Sequence, residues 1–549
     1  MTTPQTILPV HGMNSDGPDG DARERLRRLF APSVSPDSAE MLAEARVSRM
    51  IQGFLSETNF SSSIGFNSLV EKFLDSRIPA EPCEFADYLD RLFDDVVAHS
   101  TRTSSPRFIG HMTSALPYFM RSLGRLMAAM NQNVVKIETS KAFSPFERQT
   151  LAIIHRLIFD RADDFYEEHI QNQSSTLGIV TSGGTLANVT ALWCARNRTL
   201  GQQGCFAGVE REGLAEALEF YGYRGAVVIG SNSMHYSFDK AADVLGIGRQ
   251  NLVKVPADQH NRLDVAALRE VVEECRARRQ HIIAIVGVAG ATETGTIDPL
   301  PEIAEIARDA GTHFHVDAAW AGPLLFSRQH KHRLAGIERA DSVTIDGHKQ
   351  LYLPMGVGMC ILRDPQAAKA IEKQARYIAR AGSVDLGKRA LEGSRPSTVL
   401  FLHAALHTIG HSGYEILLDE GIRKTRYLAD SIQSRHEFEL LLEPTINILV
   451  YRYLPEEYRR KAAARELSDS DDRAIDDFNV RLQKAQRQAG YSFVSRTIIN
   501  STRCGTGRPL VALRVVIANP LTTEADIDEV LLDQLGIASR LASRTQTHA

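Results

Sequence analysis

The sequence predicts an α/β fold with a mainly parallel central sheet and helices on both faces. A helical N-terminal segment precedes it and a small α+β domain follows. Three observations carry this expectation. Between about Leu177 and Asp364, seven short β-branched apolar runs alternate with helical stretches: 177–181, 225–230, 251–255, 281–289, 312–317, 341–346 and 356–362. Continuous apolar strands separated by helices imply a parallel sheet covered on both faces. From about Ser38 to Ser100 the apolar spacing is helical, first through Met41, Ala45, Met50 and Phe54, then through Phe85, Leu89, Leu92, Phe93 and Val96. After Pro396 come helices, a charge-dense stretch at 454–474, and a strand candidate, LVALRVVIAN, at 510–519.

These patterns divide the 549 residues into a loose arm over 1–36, an N-terminal helical segment over 37–115, a large α/β domain over 116–395 and a small α+β domain over 396–549. The arm is rich in Pro, Gly, Ser and Asp and has little apolar periodicity. SSPRFIGHMTSALP (104–117) breaks the helical pattern with Pro106, Gly110 and Pro117. A loop between helices is a natural place for site residues. In the large domain, ligands are expected beyond the carboxyl ends of the strands.

Charge and composition exclude several function classes. The 63 Lys and Arg against 67 Asp and Glu leave a net charge of −4, which argues against a nucleic-acid-coating surface. No apolar stretch approaches the ~18 residues of a membrane span. The chain therefore reads as soluble, with neither nucleic acid nor membrane among its partners. The N-terminus lacks the basic start and apolar run of a signal peptide, so a cytoplasmic location is expected. Six cysteines lie far apart with no CxxC pair, which fits reduced thiols and no metal site.

Three local patterns carry chemistry. In TSGGTLANVTALWCARN (181–197) a strand ends in Gly-Gly and a helix begins. First-turn N–H groups and the Thr185 hydroxyl suit a phosphate at the positive helix end, although the same residues also make an ordinary strand-helix turn. In FHVDAAW (314–320) an acid ends an apolar strand. A buried carboxylate needs a cation, and a protonated pyridine nitrogen would serve; a helix N-cap is the other reading of Asp317. In SVTIDGHKQLYLPMGVG (342–358) Lys349 follows His348 just after a strand. A lysine crowded by cations loses its proton readily and forms Schiff bases, whereas most isolated lysines are solvated. His313 and His315, on the face that carries Asp317, read as core packing, and His330 and His332 as part of a solvated basic segment.

Phosphate cup, acid and lysine stand in the order expected of a fold-type I pyridoxal-phosphate enzyme. Over roughly residues 80–535 the sequence resembles the group II pyridoxal-dependent amino-acid decarboxylases. The motifs are SPRFIGHM, TSGGTLAN, NSMHYSFDKAADVLGIG, GATETGTIDPL, HVDAAWAGP, ADSVTIDGHK and LRVVIANP. The resemblance implies pyridoxal 5'-phosphate as cofactor and a homodimer with shared active sites. It implies that Lys349 holds the cofactor as a Schiff base, Asp317 binds the ring nitrogen, His235 stacks on the ring and Ala319 packs on its opposite face. It places Gly184, Thr185 and His348 around the phosphate, Thr292 close to the ring, and Arg514 on the substrate α-carboxylate.

A narrower resemblance, to bacterial pyridoxal-dependent aspartate 1-decarboxylases, rests on SPRFIGHMTSALPYFM, NQNVVKIETSKAFSPFERQTLAIIHRL and LEGSRP. Glutamate decarboxylases have glutamine in the place of His111, and the aromatic enzymes have proline where Lys141 falls. An imidazole and an ammonium there would complement the distal carboxylate of a short acidic substrate; a solvated helix-start lysine is the other reading of Lys141. One departure concerns the loop ARYIARAGSV (375–384), which is shorter than in relatives and lacks their aligned tyrosine acid. Tyr377 is the nearest phenol and reads more readily as packing, which leaves His235, another subunit or water as proton sources. The expected activity is α-decarboxylation of an acidic amino acid: L-aspartate to β-alanine and CO2, or alternatively glutamate to 4-aminobutanoate. β-Alanine points to pantothenate and coenzyme A supply. The rivals are transamination or carbon–sulfur lysis on the same fold, and a non-catalytic protein that retains it.

Overall fold

A computed structural model describes residues 18–30, 35, 38–375, 383–500 and 508–546. The chain divides into two compact units, one ending at Arg102 and one starting at Thr103. The first unit is helical, with helices at Pro18–Phe30, Ala39–Ser56, Phe66–Lys72 and Phe85–Asp95. Thus 18–30, within the segment read as a loose arm, is a helix. Ser38 caps the Ala39–Ser56 helix by accepting the Met41 N–H, which satisfies one of its orphan donors.

The second unit holds two sheets. The larger is built from β1 (Gly178–Thr181), β2 (Gly225–Ser231), β3 (Leu252–Val255), β4 (Gln280–Val288), β5 (His313–Asp317), β6 (Ser342–Asp346) and β7 (Gly358–Leu362). Its order is β1-β7-β6-β5-β4-β2-β3, and only β7 runs antiparallel to its neighbours. All seven strands fall where the apolar runs placed them. They are buried along almost their whole length, because helices such as Gly184–Thr199 and Leu300–Ala310 cover the faces. The smaller sheet consists of β8 (Phe438–Leu442), β9 (Ile448–Tyr453), β10 (Ser495–Asn500) and β11 (Pro509–Val516), antiparallel in the order β10-β11-β9-β8.

The smaller sheet has an apolar cluster of its own around Phe438, Leu449, Tyr451 and Leu513, and a second cluster joins the two sheets. The joining cluster runs from Val316, Trp320 and Ile345 through Phe401, Tyr414 and Leu418 to Ile448 and Val516. A polar tie reinforces it: Trp320 Nε1 donates to Asn447 Oδ1 (3.1 Å), Asn447 Nδ2 to Gln350 Oε1 (2.8 Å), and Gln350 Nε2 to the Trp320 carbonyl (2.8 Å). The boundary expected near 395 is therefore a change of architecture inside one compact unit. His330 corrects the sequence reading. It is 3% exposed and burial pushes its pKa down, its N–H donating to Ser327 Oγ at the start of the Lys331–Leu334 turn; of the two histidines His332 alone is exposed.

Candidate active site

The sheet register gathers chemistry at one edge. Thr181 pairs with Gly358, and Gly358 with Asp346, so the ends of β1 and β6 stand abreast across the start of β7. Asp317, at the end of β5, pairs with Val288 of β4 and Thr344 of β6. Gly358 permits this closeness, since a Cβ there would lie 2.6 Å from the Gly183 Cα. The helix Gly184–Thr199 starts at this edge with no side-chain cap, and its Gly184 N–H donates to Asp346 Oδ1 (3.0 Å). A Cβ on Gly184 would sit 2.9 Å from Asp346 Oδ2, so the cradle is closed by backbone and carboxylate together.

Above the edge lies a cavity of about 510 Å3. It is lined by Gly184, Thr185, His235, Thr292, Asp317, Ala319, His348 and Lys349, the residues the sequence assigned to a cofactor, and by His111 and Arg514, two of those assigned to a substrate. Lys349 Nζ lies 3.4 Å from Asp346 Oδ2, and His348 Nδ1 3.3 Å from Asp346 Oδ1. Lys141 is exposed, does not line this cavity, and ends the Ile137–Ser140 helix at φ 37° and ψ −99°. Tyr377 lies outside the described residues.

Hydrogen bonds fix the protonation of two of the cavity imidazoles, His235 and His111. His235 Nδ1 accepts the Ser237 N–H (3.2 Å) and His111 Nδ1 accepts the Thr113 N–H (3.2 Å), so each presents Nε2–H. Burial lowers the pKa of His235, with the Asp317 carboxylate opposing. Burial lowers that of His111, and Arg514, Lys349 and His348 add to the effect. His111 is thus a neutral donor at pH 7, where the sequence reading offered potential positive charge, because burial disfavours its charged form and Arg514 and Lys349 add to that. Arg514 is 9% exposed. Its Nε donates to Ser495 Oγ (3.0 Å), Nη1 to the Thr292 carbonyl (2.6 Å) and Nη2 to the Gly110 carbonyl (3.3 Å).

Asp317 is 5% exposed. Its Oδ1 accepts the Ala319 N–H (3.1 Å) and its Oδ2 the Asn188 Nδ2–H (2.9 Å). Among the described residues no side-chain cation forms an ion pair with it. A buried carboxylate that faces a cavity without a protein cation fits a cationic ring nitrogen. With the helix start at Gly184 and Thr185 and with Lys349 in the same space, the residues fit pyridoxal phosphate. Sequence reasoning missed Asn188, Asp346 and Glu293. All three lay inside quoted motifs, Asp346 three residues before Lys349 at a strand end. Glu293 follows Thr292; burial raises its pKa while Arg514 pulls it down.

Comparison with known proteins agrees with this geometry. The pyridoxal-dependent decarboxylase conserved domain matches residues 70–454. The chain is 45% identical over 532 residues to aspartate 1-decarboxylase of Aliivibrio fischeri, covering 96% of this chain and 97% of that protein. It is 29% identical to L-2,4-diaminobutyrate decarboxylase of Acinetobacter baumannii, over 67% of this chain and 71% of the relative. The fold matches the crystal structure of mouse CSAD with a TM-score of 0.77 at 24% identity, covering 90% of this chain and 99% of that one.

Proposed function

Since the chain belongs to the pyridoxal-dependent decarboxylase family, we propose that it removes the α-carboxylate of L-aspartate to give β-alanine and CO2. The observation that carries this reading is the 45% identity to an aspartate 1-decarboxylase along nearly the whole of both chains. The cavity suits a dicarboxylic amino acid, because Arg514 and the neutral N–H of His111 are donors around one space.

Bound pyridoxal phosphate supplies the sink for the electron pair left at Cα when CO2 departs. The chain's residues do the rest. Gly184, Thr185 and His348 would hold the phosphate at the helix start. Lys349 would hold the cofactor through its Nζ. Asp317 would accept a hydrogen bond from the protonated ring nitrogen, and His235, Ala319 and Thr292 would line the ring's place. Arg514 would bind the substrate α-carboxylate. His111 and Lys141 complement the distal carboxylate.

Lys141 is exposed in the single chain, so its role requires a site shared between two copies. The homodimer has support in the first unit. The Ala39–Ser56 helix has no buried residue, and Phe66, Phe73, Leu74, Ile78 and Phe85 are exposed, an apolar surface that a second copy would cover. No helix among the described residues is long and apolar enough to cross a membrane. The reading includes a cytoplasmic enzyme that supplies β-alanine for pantothenate.

The test is a substrate panel with product identification. Aspartate is expected to exceed glutamate in kcat/KM, with β-alanine as product. A preference for glutamate, or keto-acid products, would overturn the reading.

A further inference from the structure

Behind the cavity, a chain of buried hydrogen bonds leads from Asp317 across β5 and β6. Asn188 Nδ2 donates to Asp317 Oδ2 (2.9 Å) and to Ser237 Oγ (3.0 Å). Its Oδ1 faces His315 Nε2 at 3.1 Å. His315 Nδ1 lies 2.8 Å from Ser342 Oγ, and the same hydroxyl lies 2.7 Å from His313 Nε2. Asn188, His315, Ser342 and His313 are all at most 1% exposed.

The direction of every link follows from the first. The Asn188 amide nitrogen is committed to donating, so its oxygen accepts and His315 Nε2 carries hydrogen. Burial pushes the His315 pKa down to about 4, so the ring is neutral and Nδ1 accepts from the Ser342 hydroxyl. That hydroxyl oxygen then accepts from His313 Nε2–H, on a ring whose pKa burial pushes down to about 3. From His313 through Ser342, His315 and Asn188 the donors run one way, towards Asp317, with one side branch from Asn188 to Ser237. Alternation along β5 makes this possible, since residues 313, 315 and 317 share a face and the Gly184–Thr199 helix brings Asn188 against it.

We propose that His315 is a positioning residue for the reaction: acting through Asn188, it holds the Asp317 carboxylate as an acceptor fixed on the pyridine nitrogen. This rests on the cofactor reading above. Aligned hydrogen bonds polarise one another, and donors to a carboxylate favour its charged form, which a pyridinium proton requires. A lysine or arginine in place of Asn188 would form an ion pair with the carboxylate and compete with the ring for it. A neutral chain supplies donors and leaves that charge to the cofactor.

The experiment has two readouts besides turnover. In cofactor-free protein, nitrogen NMR of His315 is expected to show the neutral Nε2–H tautomer. In protein loaded with ring-¹⁵N pyridoxal phosphate, the pyridine nitrogen is expected to be protonated at neutral pH in the wild type and to lose its proton at lower pH in His315→Phe. The same variant should lose about tenfold or more in kcat, the equivalent of one pKa unit at the ring, with KM within about threefold. His315→Gln, which keeps a donor near the Nε2 position, should recover most of both. If His315→Phe fails to fold, Ser342→Ala carries the test: loss of the hydroxyl should release the Nε2–H tautomer and shift the ring nitrogen in the same direction. A charged or Nδ1–H His315 overturns the proposal, as does a ring nitrogen unmoved in the variant that folds. Wild-type protein that takes up no cofactor at Lys349 overturns the site reading and this inference with it, whereas an unmoved ring nitrogen in loaded protein overturns this inference alone.

Discussion

Replacing Arg514 by Met keeps the side chain's length and removes its charge and its hydrogen-bonding fork. A guanidinium has five N–H donors. Three are taken by Ser495 Oγ, the Thr292 carbonyl and the Gly110 carbonyl, which leaves two, one on each terminal nitrogen, for a carboxylate. Bonds to charged groups are worth about 1.5–3 kcal/mol each, so the loss is about 3–6 kcal/mol. That corresponds to a fall in kcat/KM for aspartate of roughly two to four powers of ten. The variant also leaves two buried carbonyls without their donor, so a general loss must be separated from a lost grip. β-Alanine makes the separation, because it has the distal carboxylate and the amine but no α-carboxylate. Steady-state kinetics with aspartate, run beside inhibition by β-alanine, should show the large loss for the first and inhibition within about threefold of wild type for the second. If β-alanine inhibition collapses in parallel, or if kcat/KM for aspartate survives within about threefold, Arg514 does not hold the α-carboxylate.

Asp317→Asn should keep part of the cofactor bound while turnover falls by orders of magnitude, since a neutral amide does not hold the ring nitrogen protonated; near-normal turnover by CO2 release would refute that role. Lys141→Ala should depress kcat/KM for aspartate and weaken β-alanine inhibition with cofactor absorbance intact; the cost of unpairing a buried carboxylate is about 3–5 kcal/mol, and a change below about 1 kcal/mol would mark a solvated lysine. His155, His281 and His315 are pushed down to about 4 and His313 to about 3, all first by burial. The unfolded chain therefore binds more protons between about pH 6.5 and 4, and Tm should drop steeply as pH falls through that window. A flat acid limb in calorimetry would show that these rings are not neutral in the folded state.

Most strands of the large sheet were legible because they are buried on both faces and read as one apolar run; β3, at the sheet's edge, leaves Lys254 exposed. So were the residues at their carboxyl ends, since Gly-Gly before a helix and an acid or GHK after a strand are local patterns. What escaped the sequence was long-range. Asn188 sits inside a motif read for its glycines, and its partner Asp317 is 129 residues away. His315 reads as core because its partners, Asn188 and Ser342, come from a distant helix and a neighbouring strand. His111 illustrates the opposite error. Its place in the cavity was visible, but its charge depends first on burial and then on Arg514, Lys349 and His348, which only the fold assembles around it. The boundary near residue 395 looked like a domain edge because the pattern changes there, yet the apolar core continues across it.

The central claim is that the chain releases the α-carboxylate of aspartate and leaves the β-carboxylate in place, and labelled substrate tests it in a single reaction. With purified protein, pyridoxal phosphate and L-aspartate labelled with ¹³C at C1, all the label should appear as CO2 and the product should be unlabelled β-alanine. Label retained in the product, with alanine formed by loss of C4, would contradict the account, as would the absence of any CO2 from aspartate while glutamate is consumed.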